Sequence, residues 1–122
     1  FGHTFAHGFE ATKNFSKKLN HGEAVLLGMA IASKFSYEKK ILSYIELTKI
    51  INHYRYLNLP LSLGKIFKKK EISKIIYFMQ KDKKNLNEKI NLILIKKIGK
   101  INKPIGNAYS SNDIKNFLYS QI

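Results

Sequence analysis

The segment that most restricts the fold is residues 22–36, which is apolar on nearly every side of a helix and contains no proline. A helix that is hydrophobic all round has to be covered by other elements, so we expect this one at the centre of the core. Within it, Ala24, Gly28 and Ala32 recur every four residues and therefore share one face. These small side chains predict close packing against a second helix.

The rest of the chain predicts a mainly α-helical fold, a multi-helical domain with one small β-hairpin near its C-terminal end. Apolar residues three and four apart favour helices, and alternating β-branched residues favour strands. Helices are predicted at residues 1–13, 22–36, 37–57, 71–80 and 114–119. The hairpin is predicted at residues 90–105, with Gly99 in its turn. The apolar stripe of the third helix is predicted to consist of Ile41, Tyr44, Ile45, Ile51 and Tyr54.

Length and composition limit the class of protein. At 122 residues the chain has the size of one domain, so residues 1–122 are expected to form a single unit. The absence of cysteine excludes disulfides and thiolate metal sites and fits a reducing, cytoplasmic location. The longest apolar run is too short to span a bilayer, and no signal segment opens the chain, so no membrane partner is expected. Because Phe1 stands in the middle of a motif, we expect the chain to be part of a longer protein.

The charge of +14 raises the alternative of a nucleic-acid-binding module. Among the 22 basic residues only Arg55 is an arginine, whereas nucleic-acid binders commonly use arginine for forked contacts to phosphate and guanine. No basic stretch interleaved with aromatic residues and no known reader motif accompanies the lysines. The composition therefore argues against nucleic acid as a partner.

Three of the four histidines fall within the first 21 residues. His3 and His7 are four residues apart and share one helix face, and a helical return is expected to bring His21 beside His3. Imidazoles that converge in a cleft suit zinc binding or general acid–base chemistry. Spacing alone leaves open that they are ordinary surface or hydrogen-bonded core histidines. The Glu23 carboxylate is expected to interact favourably with the helix dipole at the N-terminus, to hold the His21 ring in place, or to do both.

Several motifs, taken together and in order, carry a resemblance to a known family. They are Gly2-His3-Thr4-Phe5-Ala6-His7, His21-Gly22-Glu23-Ala24-Val25, Leu59-Pro60, Asp82-Lys83-Lys84 and Ile98-Gly99-Lys100. The set resembles the C-terminal domain of the 3-dehydroquinate synthases and runs across nearly the whole chain. Ala6 and Gly8 are slight departures from the family pattern, and neither removes a functional group.

The resemblance implies the zinc- and substrate-binding half of a two-domain enzyme. It implies that His3 and His21 bind zinc, or another divalent metal such as cobalt, together with a glutamate from the preceding part of the protein. His7 corresponds to the proton-transferring histidine, and Lys83 or Lys84 to a contact with the substrate's anionic groups. NAD would be bound mainly by an N-terminal domain that is absent from this chain, so no cofactor-binding residue is assigned here.

The implied substrate is a sugar-acid phosphate. The reaction converts 3-deoxy-arabino-heptulosonate 7-phosphate to 3-dehydroquinate and phosphate, in the shikimate pathway of aromatic amino-acid biosynthesis. The implied partners are the enzyme's own N-terminal domain and a second copy in a homodimer. Another sugar-phosphate cyclase of the same superfamily is the alternative within this fold, because the metal histidines do not by themselves define the substrate.

Overall fold

The computed structural model describes residues 1–14, 19–82, 89–103 and 106–122. The mainly helical prediction is confirmed in these residues. The helices are α1 (His3–Thr12), α2 (His21–Glu38), α3 (Tyr44–Tyr56), α4 (Ile72–Asp82) and α5 (Ser111–Ser120), with single 3₁₀ turns at Leu63–Lys65 and Lys69–Glu71. The strands are β1 (Lys89–Leu92), β2 (Ile95–Lys97), β3 (Lys100–Ile101) and β4 (Asn107–Ser110). None of the described helices is long and apolar enough to cross a membrane.

Helix α2 forms the centre of the core, as its sequence predicts. Ala24 and Leu27 are fully buried, and Ala32 is 1% exposed. The helix starts with a capping box, in which Asn20 Oδ1 accepts the Glu23 N–H at 2.8 Å and Glu23 Oε1 accepts the Asn20 N–H at 3.2 Å. This pairing satisfies backbone N–H groups that an uncapped helix would leave without partners, and it fixes where α2 begins.

Helix α1 packs between α2 and α4. On one side, Gly28 of α2 lies against the backbone of Gly2 and Ala6, so the predicted small-residue stripe makes a close helix contact at Gly28. On another side, Gly8 lies against Ile75 and Met79 of α4. Because a helix held on two sides by backbone-close contacts has little freedom to shift, α1 is a rigid support for the side chains it carries.

The hairpin predicted at residues 90–105 is confirmed around its turn, where β2 pairs with β3 and Ile95 lies opposite Ile101. Its predicted first strand is divided, since Ile90 and Leu92 belong to β1, and residues 104–105 lie outside the described residues. Gly99 lies in its turn with φ of +83°, a left-handed conformation that glycine adopts at no steric cost. The structure also has a second sheet that was not predicted, in which β1 pairs antiparallel with β4 and Lys89 lies opposite Ser110. The two strands of this sheet are separated in the chain by the whole hairpin, so no local turn motif indicates the pairing.

The predicted helix at residues 37–57 is wrong at its start. Helix α2 continues to Glu38, Lys40 adopts a left-handed φ of +62°, and α3 begins only after Ser43. Ser43 Oγ accepts the Glu46 N–H at 3.2 Å and so caps the new helix. This offset changes the buried face of α3, which contains Leu47 and Tyr54; Tyr44 and Ile45 of the predicted stripe are 66% and 70% exposed.

Candidate metal and proton-transfer site

The open face of α1 carries the chemistry that the sequence singles out. Of the ten residues in this helix, His3, His7 and Glu10 are the three that are not buried. They are spaced four and three residues apart, so they lie in one row along the helix. The packing that buries the other faces of α1 thus presents two imidazoles and one carboxylate together at the surface.

His21 joins this row from the start of α2. The two helices run in opposite directions, since Gly2 packs against Gly28 while Glu10 packs against His21. The His21 Nδ1 atom lies 2.9 Å from Glu10 Oε1. Because a carboxylate only accepts hydrogen bonds, this geometry assigns the ring proton to Nδ1, and Nε2 is the nitrogen that remains for a ligand.

The two partners differ sharply in exposure. The His21 side chain is 74% exposed, whereas that of Glu10 is 14% exposed. The ring therefore projects outward from a carboxylate that is itself held against the helix surface. A histidine with this arrangement can meet a ligand or another domain without giving up its hydrogen bond.

In the structure, Glu23 performs one of the two roles predicted for it, and Glu10 performs the other. Its carboxylate accepts the Asn20 N–H and completes the capping box, which is the helix-terminus role. The hydrogen bond to the His21 ring comes instead from Glu10. Glu23 is the third residue of α2 and faces back to the cap, so the neighbouring helix rather than the same helix supplies the partner of the ring. The sequence signal that would have indicated Glu10 is its position three residues after His7.

His3 and His21 supply the nitrogen ligands that zinc prefers, and an exposed imidazole with a paired second nitrogen is the usual form of such a ligand. Within the described residues, no group of three or more His, Cys, Asp and Glu side chains is close enough to hold a metal ion. Because a catalytic zinc site has three protein ligands, two imidazoles would need a further ligand to form one. The structure places His21 against Glu10, which is about 10 Å along the α1 axis from His3. The convergence of His3 and His21 on one ion, with His7 beside them, stays a prediction.

Comparison with known proteins agrees with the motifs. A family model described as "3-dehydroquinate synthase C-terminal" matches residues 1–85, and this match includes His3, His7 and His21. The 3-dehydroquinate synthase of Pelagibacter ubique is 54% identical over 99 residues, which cover 81% of this chain and 27% of that protein. The 3-dehydroquinate synthase of Zymomonas mobilis is 41% identical over 99 residues, which cover 81% of this chain and 26% of that protein. The chain belongs to the 3-dehydroquinate synthase C-terminal family.

Solved structures show the same fold. A crystal structure of 2-deoxy-scyllo-inosose synthase complexed with carbaglucose-6-phosphate, NAD⁺ and Co²⁺ matches with a TM-score of 0.73 and 21% identity, covering 100% of this chain and 33% of that chain. A second crystal structure of 2-deoxy-scyllo-inosose synthase matches with a TM-score of 0.71. The chain thus spans about a third of these cyclases and about a quarter of the 3-dehydroquinate synthases it matches.

Lys83 and Lys84, one of which the family resemblance predicts to contact the substrate, lie outside the described residues. They follow α4, which ends at Asp82. Their assignment as contacts for the substrate's anionic groups stays a prediction.

A surface cleft of about 770 Å³ lies beside Glu23, and its mixed polar and apolar lining includes the basic side chains of Arg55 and Lys65. Lys34 donates a hydrogen bond to the Leu61 carbonyl in its wall at 3.2 Å. Burial, and to a smaller extent the Arg55 guanidinium, lower the pKa of Lys34. This cleft gives the flank of the domain next to the start of α2 a positive charge.

Proposed function

We propose that this chain is the metal- and substrate-binding half of a 3-dehydroquinate synthase. The complete enzyme would convert 3-deoxy-arabino-heptulosonate 7-phosphate to 3-dehydroquinate and phosphate in the shikimate pathway of aromatic amino-acid biosynthesis. The observation that carries the proposal is the open face of α1, where His3, His7 and Glu10 are the residues left unburied and where His21 pairs with Glu10. The relatives named 3-dehydroquinate synthase support this substrate assignment.

His3 and His21 would hold a divalent metal, zinc by preference, with a carboxylate from the preceding part of the protein as third ligand. NAD would bind mainly to that same preceding part. When bound, the metal supplies Lewis-acid polarisation of the substrate's oxygens, and NAD supplies the oxidation and later reduction of one of its carbons. The two histidines would hold the ion from two helices, α1 and α2, that pack closely against each other.

His7 would move protons. It is one helical turn from His3, so it lies beside the proposed metal without being needed as a ligand. An imidazole changes protonation near neutral pH, which suits the proton transfers that accompany phosphate elimination and ring closure. Lys83 or Lys84 would hold the substrate's carboxylate or phosphate by charge-assisted hydrogen bonds.

The partners proposed for this half are the enzyme's own N-terminal domain and a second copy in a homodimer, in the cytoplasm. A closed site between two domains would exclude water while the substrate is oxidised and while its sugar ring opens and a carbon ring closes.

The experiment is product analysis with the complete protein that carries this domain. Given 3-deoxy-arabino-heptulosonate 7-phosphate, NAD and Zn²⁺, it should release phosphate and form 3-dehydroquinate in equal amounts. The alternative is another sugar-phosphate cyclase, and the observation behind it is the fold shared with 2-deoxy-scyllo-inosose synthase. Turnover of glucose 6-phosphate, with none of the heptulosonate, would support that alternative and contradict the proposal.

A further inference from the structure

We propose that Glu10 is the positioning residue of His21: it accepts the Nδ1 proton of the ring and thereby holds Nε2 ready for the metal. This inference rests on the proposed metal-binding role of His21. The sequence motifs assign no role to Glu10, and the role that the sequence offered to Glu23 is performed in the structure by Glu10.

The chemistry of imidazole explains why a positioning residue is needed. A neutral ring carries its proton on one of two nitrogens, and only the other nitrogen can bind a metal. A carboxylate 2.9 Å from Nδ1 selects the form with the proton on Nδ1. It also makes the ring a stronger ligand and restricts its rotation, which is the common arrangement around metal-binding histidines.

The location of Glu10 suits this role better than a contribution to stability. Its side chain is 14% exposed and lies on a helix fixed by close contacts with α2 and α4, whereas the ring of His21 is 74% exposed. An ion pair or hydrogen bond with one exposed partner contributes little to the stability of the fold. Because the Glu10 side chain is already held in place, the contact costs it little conformational entropy. The main effect of the contact is to orient the His21 ring, which would otherwise rotate freely at the surface.

The first test measures the tautomer of His21 directly, with no metal present. Long-range ¹H–¹⁵N spectra of the chain at about pH 8, above the usual imidazole range, distinguish a proton on Nδ1 from a proton on Nε2. We expect the Nδ1–H form for His21. Glu10→Ala should convert the ring to a mixture dominated by Nε2–H, and Glu10→Gln should keep Nδ1–H because the amide oxygen still accepts the bond.

Glu23→Gln is the matched control for this measurement. Glu23 is also a carboxylate close to His21 in sequence, and glutamine preserves a capping box, so the tautomer should not change. A wild-type ring that is already mixed would overturn the proposal, and so would a Glu10→Ala variant that keeps Nδ1–H. The wild-type spectrum keeps the proposal testable even if the Ala variant misfolds, because a carboxylate can only accept a hydrogen bond from the ring: a wild-type ring in the Nε2–H form contradicts acceptance by Glu10.

The second test measures zinc affinity in the complete protein. Glu10→Ala should weaken zinc binding by about 10–100-fold, the usual effect of removing a partner of a metal-bound histidine, and Glu10→Gln should weaken it less. Unchanged affinity in Glu10→Ala would overturn the positioning role. If the complete wild-type protein bound no metal at all, the proposed function would fail instead, and the tautomer spectra would still decide whether Glu10 orients His21.

Discussion

The close contact between α1 and α2 makes Gly28→Ala a sharp perturbation. A Cβ atom at Gly28 would lie 2.6 Å from the Gly2 carbonyl oxygen, 2.9 Å from the Ala6 nitrogen and 3.0 Å from the Ala6 Cβ. The two closest atoms belong to the backbone, so they cannot be relieved by a side-chain rotation. The start of α1, which carries His3, has to move away.

Two effects of this substitution oppose each other. Alanine in the middle of a helix is favoured over glycine by about 1 kcal/mol. Overpacking costs about 1–3 kcal/mol, and contacts this short with backbone atoms place Gly28 near the upper end of that range. We therefore expect a net loss of about 2 kcal/mol, which for a chain of this size lowers the melting temperature by roughly 6–10 °C.

Gly22→Ala is the matched control on the same helix. The nearest atom to a Cβ at Gly22 is Asn20 Oδ1 at 3.5 Å, an ordinary van der Waals contact. The control should therefore melt at or above the wild-type temperature. Thermal and urea unfolding followed by circular dichroism compare the three proteins, and a Gly28→Ala variant as stable as Gly22→Ala would refute the close packing of α1 on α2.

Three further predictions concern stability. Burial alone would raise the pKa of Glu71, but hydrogen bonds from the Lys68 N–H at 2.9 Å and the Lys13 Nζ at 3.0 Å lower it. Glu71→Gln should thus cost about 1 kcal/mol at pH 7, and urea titrations should show the difference disappearing as pH falls from the ordinary carboxyl range through the lowered pKa; a gap that persists at strongly acid pH would contradict this. Tyr54 donates to the Leu26 carbonyl at 2.6 Å, and burial raises the pKa of Tyr54 to about 12. Tyr54→Phe should cost about 1 kcal/mol at neutral pH, and the advantage of the wild type should be lost as pH rises from the ordinary phenol range to about 12; equal stability at pH 7 would show that the bond contributes nothing. Finally, EDTA should leave the melting temperature of the chain unchanged, because its core is apolar; a large drop would mean that metal is needed for folding.

The helices that the sequence predicts correctly are those with a local physical signal. Helix α2 has an apolar surface all round and a capping residue before it, and α4 has the buried row Ile72, Ile75, Ile76 and Met79 at helical spacing. The predicted start of α3 is wrong because Tyr37, Ile41 and Tyr44 keep helical spacing across the turn at Lys40. The helix break there depends on a left-handed residue and on the cap at Ser43 rather than on the hydrophobic pattern.

Contacts between distant segments could not be predicted in this way. The pairing of β1 with β4 depends on a strand beyond the hairpin returning to the first, and neither strand carries a marker for the other. The contact between Glu10 and His21 depends on the antiparallel packing of α1 against α2. Motifs indicated the three histidines as candidates, because a motif is recognised by residue type and spacing even when the partners of its side chains are not.

The zinc content of the complete protein and its histidine variants tests the central claim most directly. After dialysis, the wild type should retain about one zinc per chain, the expected content of a site with three protein ligands. His7→Ala should retain zinc but lose most of its turnover, and His53→Ala, a control on α3, should retain both. His3→Ala and His21→Ala should lose zinc and activity together. Loss of zinc in His7→Ala with retention in His3→Ala would contradict the assignment of metal-binding and proton-transfer roles.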